Sequence, residues 1–320
     1  MLSNSNNEGC GGKNFRTSIG GQALIEGIMM RGPTREAVVV RTADGLVTKV
    51  EPLKLIKDKY PILGWPLIRG VVNFVNSMTI GVRALMFSAD QMPEEDQEEP
   101  TKFEKWIDKK FGSEKAEKAL ITFSVVVGIA FSVGLFILLP TFLAGFLAEL
   151  IDHRILRNLA EGALRIIIFI SYLALTTRLG QIKRVWAYHG AEHKAIACYE
   201  KGLPLTVENV MEQPKQHPRC GTSFLFIVMI VSILVFSFTG WDNLWMRIGL
   251  RLLLLPVVVS ISFEVIKLAG RYDNLLTRII SAPGKALQKL TTREPDEDMV
   301  EVAIEAMNLV IPENSEDAAW

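Results

Sequence analysis

The chain lacks an excess of charge of either sign: 35 Lys and Arg stand against 35 Asp and Glu in 320 residues. That excludes a nucleic-acid binder of the usual kind, which carries a basic surplus to neutralise phosphates. Cysteine is scarce as well. Cys10, Cys198 and Cys220 are too few and too scattered for a disulfide framework, which points to a reducing compartment. No apolar leader opens the chain; residues 1–18 are polar and read as a loose tail. There is no internal repeat, and with only four histidines any clustering of them carries information.

What is present is apolar material, unevenly spread. From Ile121 to Ala148 there is no charged residue over 28 positions, against about 20 needed to cross a bilayer core. A second charge-free run, Gly221 to Trp241, contains FLFIVMIVSILVFSF. Ile166–Thr177 and Leu252–Phe263 are each only 12 residues without charge, which alone reads as a buried or interfacial segment. Arg165 and Arg178 bracket the first of these and Arg251 precedes the second. Arginine stems snorkel to headgroups and lengthen the usable span. The reading is therefore four spans, near 121–148, 160–182, 222–241 and 245–268, with Pro140 expected to kink or end the first. Six lysines over 102–118 and six basic residues over 183–219 put both termini and the 183–219 segment in the cytoplasm by the positive-inside rule.

Outside the spans, AVVVRTADGLVTKV (37–50) holds two β-branched runs around Asp44-Gly45. That is a hairpin signal, because both central positions of a type I′ turn need positive φ. Before it lies GGQALIEGIMMRGP (20–33), glycine-rich and read as a turn. Residues 66–91 have apolar positions at helical spacing interrupted by Asn73, Asn76, Ser77 and Thr79, expected as a helix lying on the membrane surface or packed on the bundle. An acidic linker (93–100) precedes a lysine-rich helix whose face carries Phe103, Trp106, Ile107 and Phe111. Near the C-terminus Met299, Val302, Ala303, Ala306 and Leu309 share a helical face. The fold expected is a mainly α membrane protein with about four transmembrane helices, amphipathic interfacial helices and a small N-terminal β-hairpin unit. In order, this gives a tail (1–18), the hairpin unit (19–60), amphipathic helices and linker (61–120), two spans (121–182), a His/Cys loop (183–221), two spans (222–269) and a cytosolic segment (270–320).

The chemistry sits after the second span, in WAYHGAEHKAIACYE. His189, Glu192 and His193 form an H-x-x-E-H pattern. On a helix the two imidazoles stand one turn apart on one face with the carboxylate beside them, a spacing that lets them share one Zn²⁺. A third ligand is needed, and QHPRCGT (216–222) offers His217 and Cys220. Glu264, near the cytosolic end of the fourth span, is a further possibility, with Lys267 as its competing ion-pair partner. Glu26 and Gln22 are expected in a turn that reaches the site at most by contact. Bland readings stand beside these: histidines without a ligand role, a buried thiol in a structured turn, or a Cys220 nucleophile for which nothing fixes an oxyanion hole.

The strings GGQALIEGIMMRGP, YHGAEHKAIACYE and HPRCGTSF closely resemble the signatures of the YqhQ-like bacterial membrane family, over roughly residues 17–312. The resemblance implies a bacterial inner-membrane protein of a family of unknown function that carries the label of a predicted metal-dependent enzyme. Its motif positions fall here on His189, Glu192, His193, His217, Arg219 and Cys220. The first functional expectation is a membrane-embedded zinc hydrolase at the cytosolic face. In it His189 and His193 hold the ion, His217 or Cys220 is third ligand, Glu192 is the base, Arg219 steadies the developing anion, and the substrate is a membrane peptide or lipid-linked molecule. The second is a non-enzymatic membrane scaffold or assembly factor with a protein partner and a closed four-ligand structural metal. A small transporter is disfavoured, because the first and third spans lack a charged residue to line a pathway.

Overall fold

The structure, a computed structural model, describes residues 15–53, 59–93, 113–147, 151, 153–238, 243–272 and 274–318. Cys10 and residues 94–112, which carry most of the expected acidic linker and lysine-rich helix, lie outside the described residues. In chain order come β1 (Gly20–Leu24), β2 (Gly27–Arg31), β3 (Arg35–Thr42) and β4 (Gly45–Pro52). Then follow α1 (Ile68–Asp90), α2 (Ser113–Val133), a π-helical turn (Gly134–Leu138), α3 (Leu139–Leu147), α4 (Arg154–Thr176) and α5 (Gly180–Glu200). The remainder is α6 (Val207–Met211), α7 (Gly221–Phe236), α8 (Leu244–Arg271), α9 (Leu275–Thr291) and α10 (Glu297–Asn308). These elements form two compact units. One comprises Met1–Gln91, Leu173–Val231 and Leu255–Trp320; the other comprises Met92–Tyr172 and Ser232–Leu254.

The first unit is built on an antiparallel sheet of order β1-β2-β3-β4. The glycine-rich stretch read as a turn is in fact the first hairpin, with Leu24 paired to Gly27. Gly27 is required there because a Cβ would lie 2.5 Å from the Val39 carbonyl oxygen. The expected second hairpin is present, but its loop residues are Ala43 and Asp44. Thr42 pairs with Gly45, and the positive φ (126°) falls on Gly45 alone of that turn. Along β2 and β3, Ile28, Met30, Ala37 and Val39 enter a core with Tyr188 and Ala191 of α5 and with Val302, Ala303 and Ala306 of α10. Met29 and Val38 point the other way, toward Ile80, Ala84 and Phe87 of α1. Both faces of the central pair are covered, which is why the sequence there is a continuous apolar run. α10 starts on Asp296, whose side chain accepts from the Met299 N–H, and Glu297 and Asp298 in its first turn suit the helix dipole.

Four helices among the described residues are long and apolar enough to cross a membrane: Ile68–Asp90, Leu120–Phe146, Ile155–Thr176 and Leu244–Arg271. The set differs from the one expected at two points. α1, expected on the surface, qualifies. α7 covers only Gly221–Phe236, 16 residues, or about 24 Å at 1.5 Å per residue, short of the ~30 Å core. Pro140 does not end its helix. The π turn immediately before it, closed by Leu139 N–H donating to Gly134 O, absorbs the lost donor and the helix continues.

The second unit corrects the expectation that Arg165 and Arg251 snorkel outward. Both are buried and turn inward onto Glu161, itself 2% exposed. Arg251 Nη2 donates to Glu161 Oε2 at 2.7 Å and Arg165 Nη2 to Glu161 Oε1 at 3.1 Å. Arg165 Nη1 also donates to Ser232 Oγ at 2.7 Å, and both guanidinium groups stack near the Phe236 ring at 5.2 and 5.5 Å. An internal carboxylate answers these charges more completely than reaching for headgroups would.

Candidate metal centre

α5 is polar in sequence, yet every residue from Ala187 to Ile196 is buried. It packs in the first unit against the sheet and beside α10, so each of its polar groups needs a partner inside the protein. Lys194 finds three: Nζ donates to Met211 O (2.7 Å) and Gln213 O (2.8 Å) and lies 3.1 Å from Glu294. Gly190 permits the close passage of a neighbouring segment, since a Cβ there would sit 2.0 Å from Arg293 O.

The helix brings His189 and His193 side by side, ring centroids 4.4 Å apart. Each ring is oriented by a backbone carbonyl that accepts from its Nδ1: Thr291 O at 2.8 Å for His189, Lys215 O at 2.7 Å for His193. That leaves Nε2 as the inward atom of both, the arrangement in which a histidine is held as a metal ligand. His189 Nε2 lies 3.1 Å from Cys220 Sγ, and the sulfur also accepts from Thr222 Oγ1 (3.3 Å) and the Thr222 N–H (3.5 Å). His193 Nε2 is buried with no hydrogen-bond partner. The ligand atoms of His189, His193 and Cys220 all lie within 4.8 Å of one another, compared with about 3.5 Å in a closed tetrahedral zinc site. Two nitrogens and a thiol, preoriented and with an unmatched lone pair, fit a zinc-type ion.

Glu192 stands at the same place. Its carboxylate accepts from the Gly21 N–H of β1, while Oε2 is buried and has no partner. Burial pushes the Glu192 carboxyl above the usual range, more than the two imidazoles pull it down. Burial would also push the Cys220 thiol up, but His189 and His193 outweigh it and hold the thiol well below its ordinary value. The same pairing raises His189 to about 9, against the opposing effect of burial. Gly21 tolerates no side chain, because a Cβ would meet Met29 O at 2.5 Å and Glu192 Cδ at 3.2 Å.

The other sequence candidates stand apart from this cluster. His217 is one layer out, its ring centroid 5.7 Å from that of His193 and its Nε2 3.4 Å from Glu200 Oε2. Arg219 pairs with the same Glu200, so its guanidinium is engaged by a carboxylate rather than turned to the centre. Burial opposes ionisation of Glu200, but His217 and Arg219 prevail and lower its carboxyl. Glu264 pairs with Arg69 of α1, donor Nε to Oε1 at 2.7 Å, with Lys267 adding a weaker attraction, rather than turning to the histidines; a guanidinium within bidentate reach wins the carboxylate. Glu26 binds Arg184 (Nη2 to Oε2, 2.6 Å) and Tyr188, and Gln22 packs under Gly81 of α1. Sequence reasoning missed Gln288 on α9. Its Oε1 accepts from the His217 N–H at 2.8 Å and its Nε2 donates to His217 O at 2.7 Å, clamping the loop that delivers Cys220.

Residues 65–313 match the family described as "Protein of unknown function (DUF1385)". The chain belongs to the DUF1385 family. The matched DUF1385 segment takes in every residue of the centre except Gly21. Uncharacterized protein YqhQ of Bacillus subtilis (strain 168) is 35% identical over 294 residues, covering 90% of this chain and 91% of that protein. No solved structure matches the chain.

Proposed function

We propose that this membrane protein is a metal-dependent hydrolase of the bacterial inner membrane, with His189, His193 and Cys220 holding zinc at the cytosolic face and Glu192 moving the proton. One observation carries the reading. Two buried acceptor atoms are without a partner: Nε2 of His193, a member of the ligand group with Cys220 and His189, and Oε2 of Glu192, the residue before it on the helix. Leaving such groups unmatched is costly in a protein interior, and a cation answers both together.

When bound, zinc supplies Lewis acidity, polarising a carbonyl or phosphoryl group and bringing a water's pKa toward neutrality. Glu192 holds the transferred proton at Oε2. Its raised affinity for a proton suits a base working near neutral pH, and the Gly21 N–H fixes the carboxylate's direction. The wall of buried apolar residues around α5, Tyr188, Ala191 and Ala195 among them, keeps bulk water out. Three protein ligands leave a coordination position for substrate. A closed structural site would draw on His217 as well, and its Nε2 faces Glu200. Both termini in the cytoplasm and a membrane peptide or lipid-linked substrate complete the proposal.

Metal analysis of the purified protein tests it. About one zinc per chain is expected, falling below about 0.1 in His193→Ala and Cys220→Ala. Glu192→Gln keeps the zinc and loses cellular function. Protein without a transition metal, or full function in Glu192→Gln, overturns the hydrolase reading.

A further inference from the structure

A groove of about 440 Å³ lies beside the centre, lined by Thr177, Lys215, Lys289, Thr292, Arg293 and Glu294 together with Leu290. We infer that it binds a phosphate ester anion presented at the membrane surface, the charged head of the substrate. The role as substrate rests on the hydrolase reading; the anion binding does not.

Charge is the first ground. Lys215, Lys289 and Arg293 line the groove against one carboxylate, Glu294, and that carboxylate is already bracketed by Lys194 at 3.1 Å and Lys215 at 3.2 Å. A chain with no net charge thus concentrates positive charge in one concave place. An arginine with two lysines matches the several acceptor oxygens of a phosphate better than the two of a carboxylate. Arg293 is set in place by its own backbone, whose N–H donates to Trp186 O at 2.8 Å, and by one Nη2 bond to Thr177 O at 3.3 Å.

Position is the second. Thr177 directly follows α4, which is long and apolar enough to cross a membrane and ends at Thr176. Lys289 lies in the last turn of α9, which starts four residues after the end of α8 and exposes Leu275, Leu276 and Ile279. One wall of the groove therefore follows the end of a candidate span and the other closes an amphipathic helix that exposes apolar residues, an arrangement suited to the depth of lipid headgroups.

Connection to the centre is the third. Lys215 contributes its ammonium to the groove and its carbonyl to His193; Thr291, between the lining residues Leu290 and Thr292, gives its carbonyl to His189. An anion bound in the groove is one peptide away from both imidazoles.

The test is calorimetric titration of the full chain in an uncharged detergent with inorganic phosphate, glycerol 3-phosphate, dihexanoyl phosphatidic acid and, as a zwitterionic control, dihexanoyl phosphatidylcholine. Phosphatidic acid is expected to bind at least tenfold more tightly than inorganic phosphate and the control. The Lys289→Gln/Arg293→Gln variant should weaken it at least tenfold with the thermal midpoint and zinc content unchanged, since both side chains are exposed. Equal, groove-dependent binding of glycerol 3-phosphate also supports the site and assigns it to a soluble ester. Binding of none of the anions, or binding that the double variant and Lys215→Gln leave unchanged, overturns the inference while the zinc result stands. Groove-dependent binding in a protein without zinc sinks the hydrolase and leaves the anion site.

Discussion

Two buried polar clusters, one in each unit, are completed in different ways. In the second unit Glu161 meets Arg165 and Arg251, with Thr141 Oγ1 donating to the same carboxylate at 3.1 Å. One carboxylate there answers two guanidinium groups inside the chain, and the atoms of these residues left unmatched are the Nε of Arg165 and of Arg251. In the first unit the groups are imidazole and thiol, which can gain or lose a proton, and what is unmatched is Nε2 of His193 and Oε2 of its chain neighbour Glu192. The same penalty for burying polar groups has produced a closed lock in one place and an open set of ligand-type atoms in the other.

The contrast can be broken by mutation. The largest effect is expected from Glu161→Ala, which strands two guanidinium groups in the interior and should cost about 3–5 kcal/mol. Size-exclusion profiles and thermal midpoints in detergent would register it, and replacing Glu161, Arg165 and Arg251 together by Leu should recover most of the loss. An unchanged midpoint in Glu161→Ala would mean that the lock is not one. Next comes Gly190→Ala. Its Cβ would fall 2.0 Å from Arg293 O, and neither backbone can yield cheaply. An overpacking cost of about 3 kcal/mol is expected, with zinc affinity down roughly tenfold as Thr291 O is pushed off His189; chelator competition reads the latter.

Acid should separate the clusters further. Glu200 is lowered from its ordinary 4.5 because His217 and Arg219 outweigh its burial. A depressed carboxyl stabilises the fold above its unfolded pKa, and the contribution is lost as pH falls through the folded value. Melting midpoints of the wild type should therefore drop below about pH 4.5. Glu200→Gln should flatten that limb and cost on the order of 1–3 kcal/mol at neutral pH. The smallest effect belongs to the surface pair of Arg41 and Glu301, 2.7 Å apart with 53% of the glutamate side chain exposed. Arg41→Ala should change stability by less than about 1 kcal/mol in a urea titration.

Much of this was legible in the residues, for reasons that differ by element. The 28-residue charge-free run announces α2 and α3 because lipid forbids charge there, whereas α8 is read from a run of only 12 residues extended by an Arg251 that in fact turns inward. The His189, Glu192 and His193 spacing is a local property of any helix, so their shared face follows from sequence alone. β1 and β2 were not legible: β2, covered on both faces, does not alternate, and the glycines of both strands that admit close neighbours look like turn residues. Nor could the supports of the centre be read. Lys215 and Thr291 act through carbonyls, which every residue has, and Gln288 reaches His217 across 71 positions. The inward turn of Arg165 and Arg251 escaped because a lone arginine near an apolar run has two outlets, and only the partner helix decides between them.

Gly21, His189 and Thr291 come from the three separate stretches of chain that make up the first unit. During synthesis the apolar helices can insert as they emerge, but the imidazole of His189 has no carbonyl to lean on until the ribosome has passed residue 291. Assembly of the centre is thus a late, post-insertional event. A nascent chain interrupted anywhere before that point would be a lipid-embedded protein with His189 unsupported, so on the proposed reading loading of the centre waits until translation is nearly done.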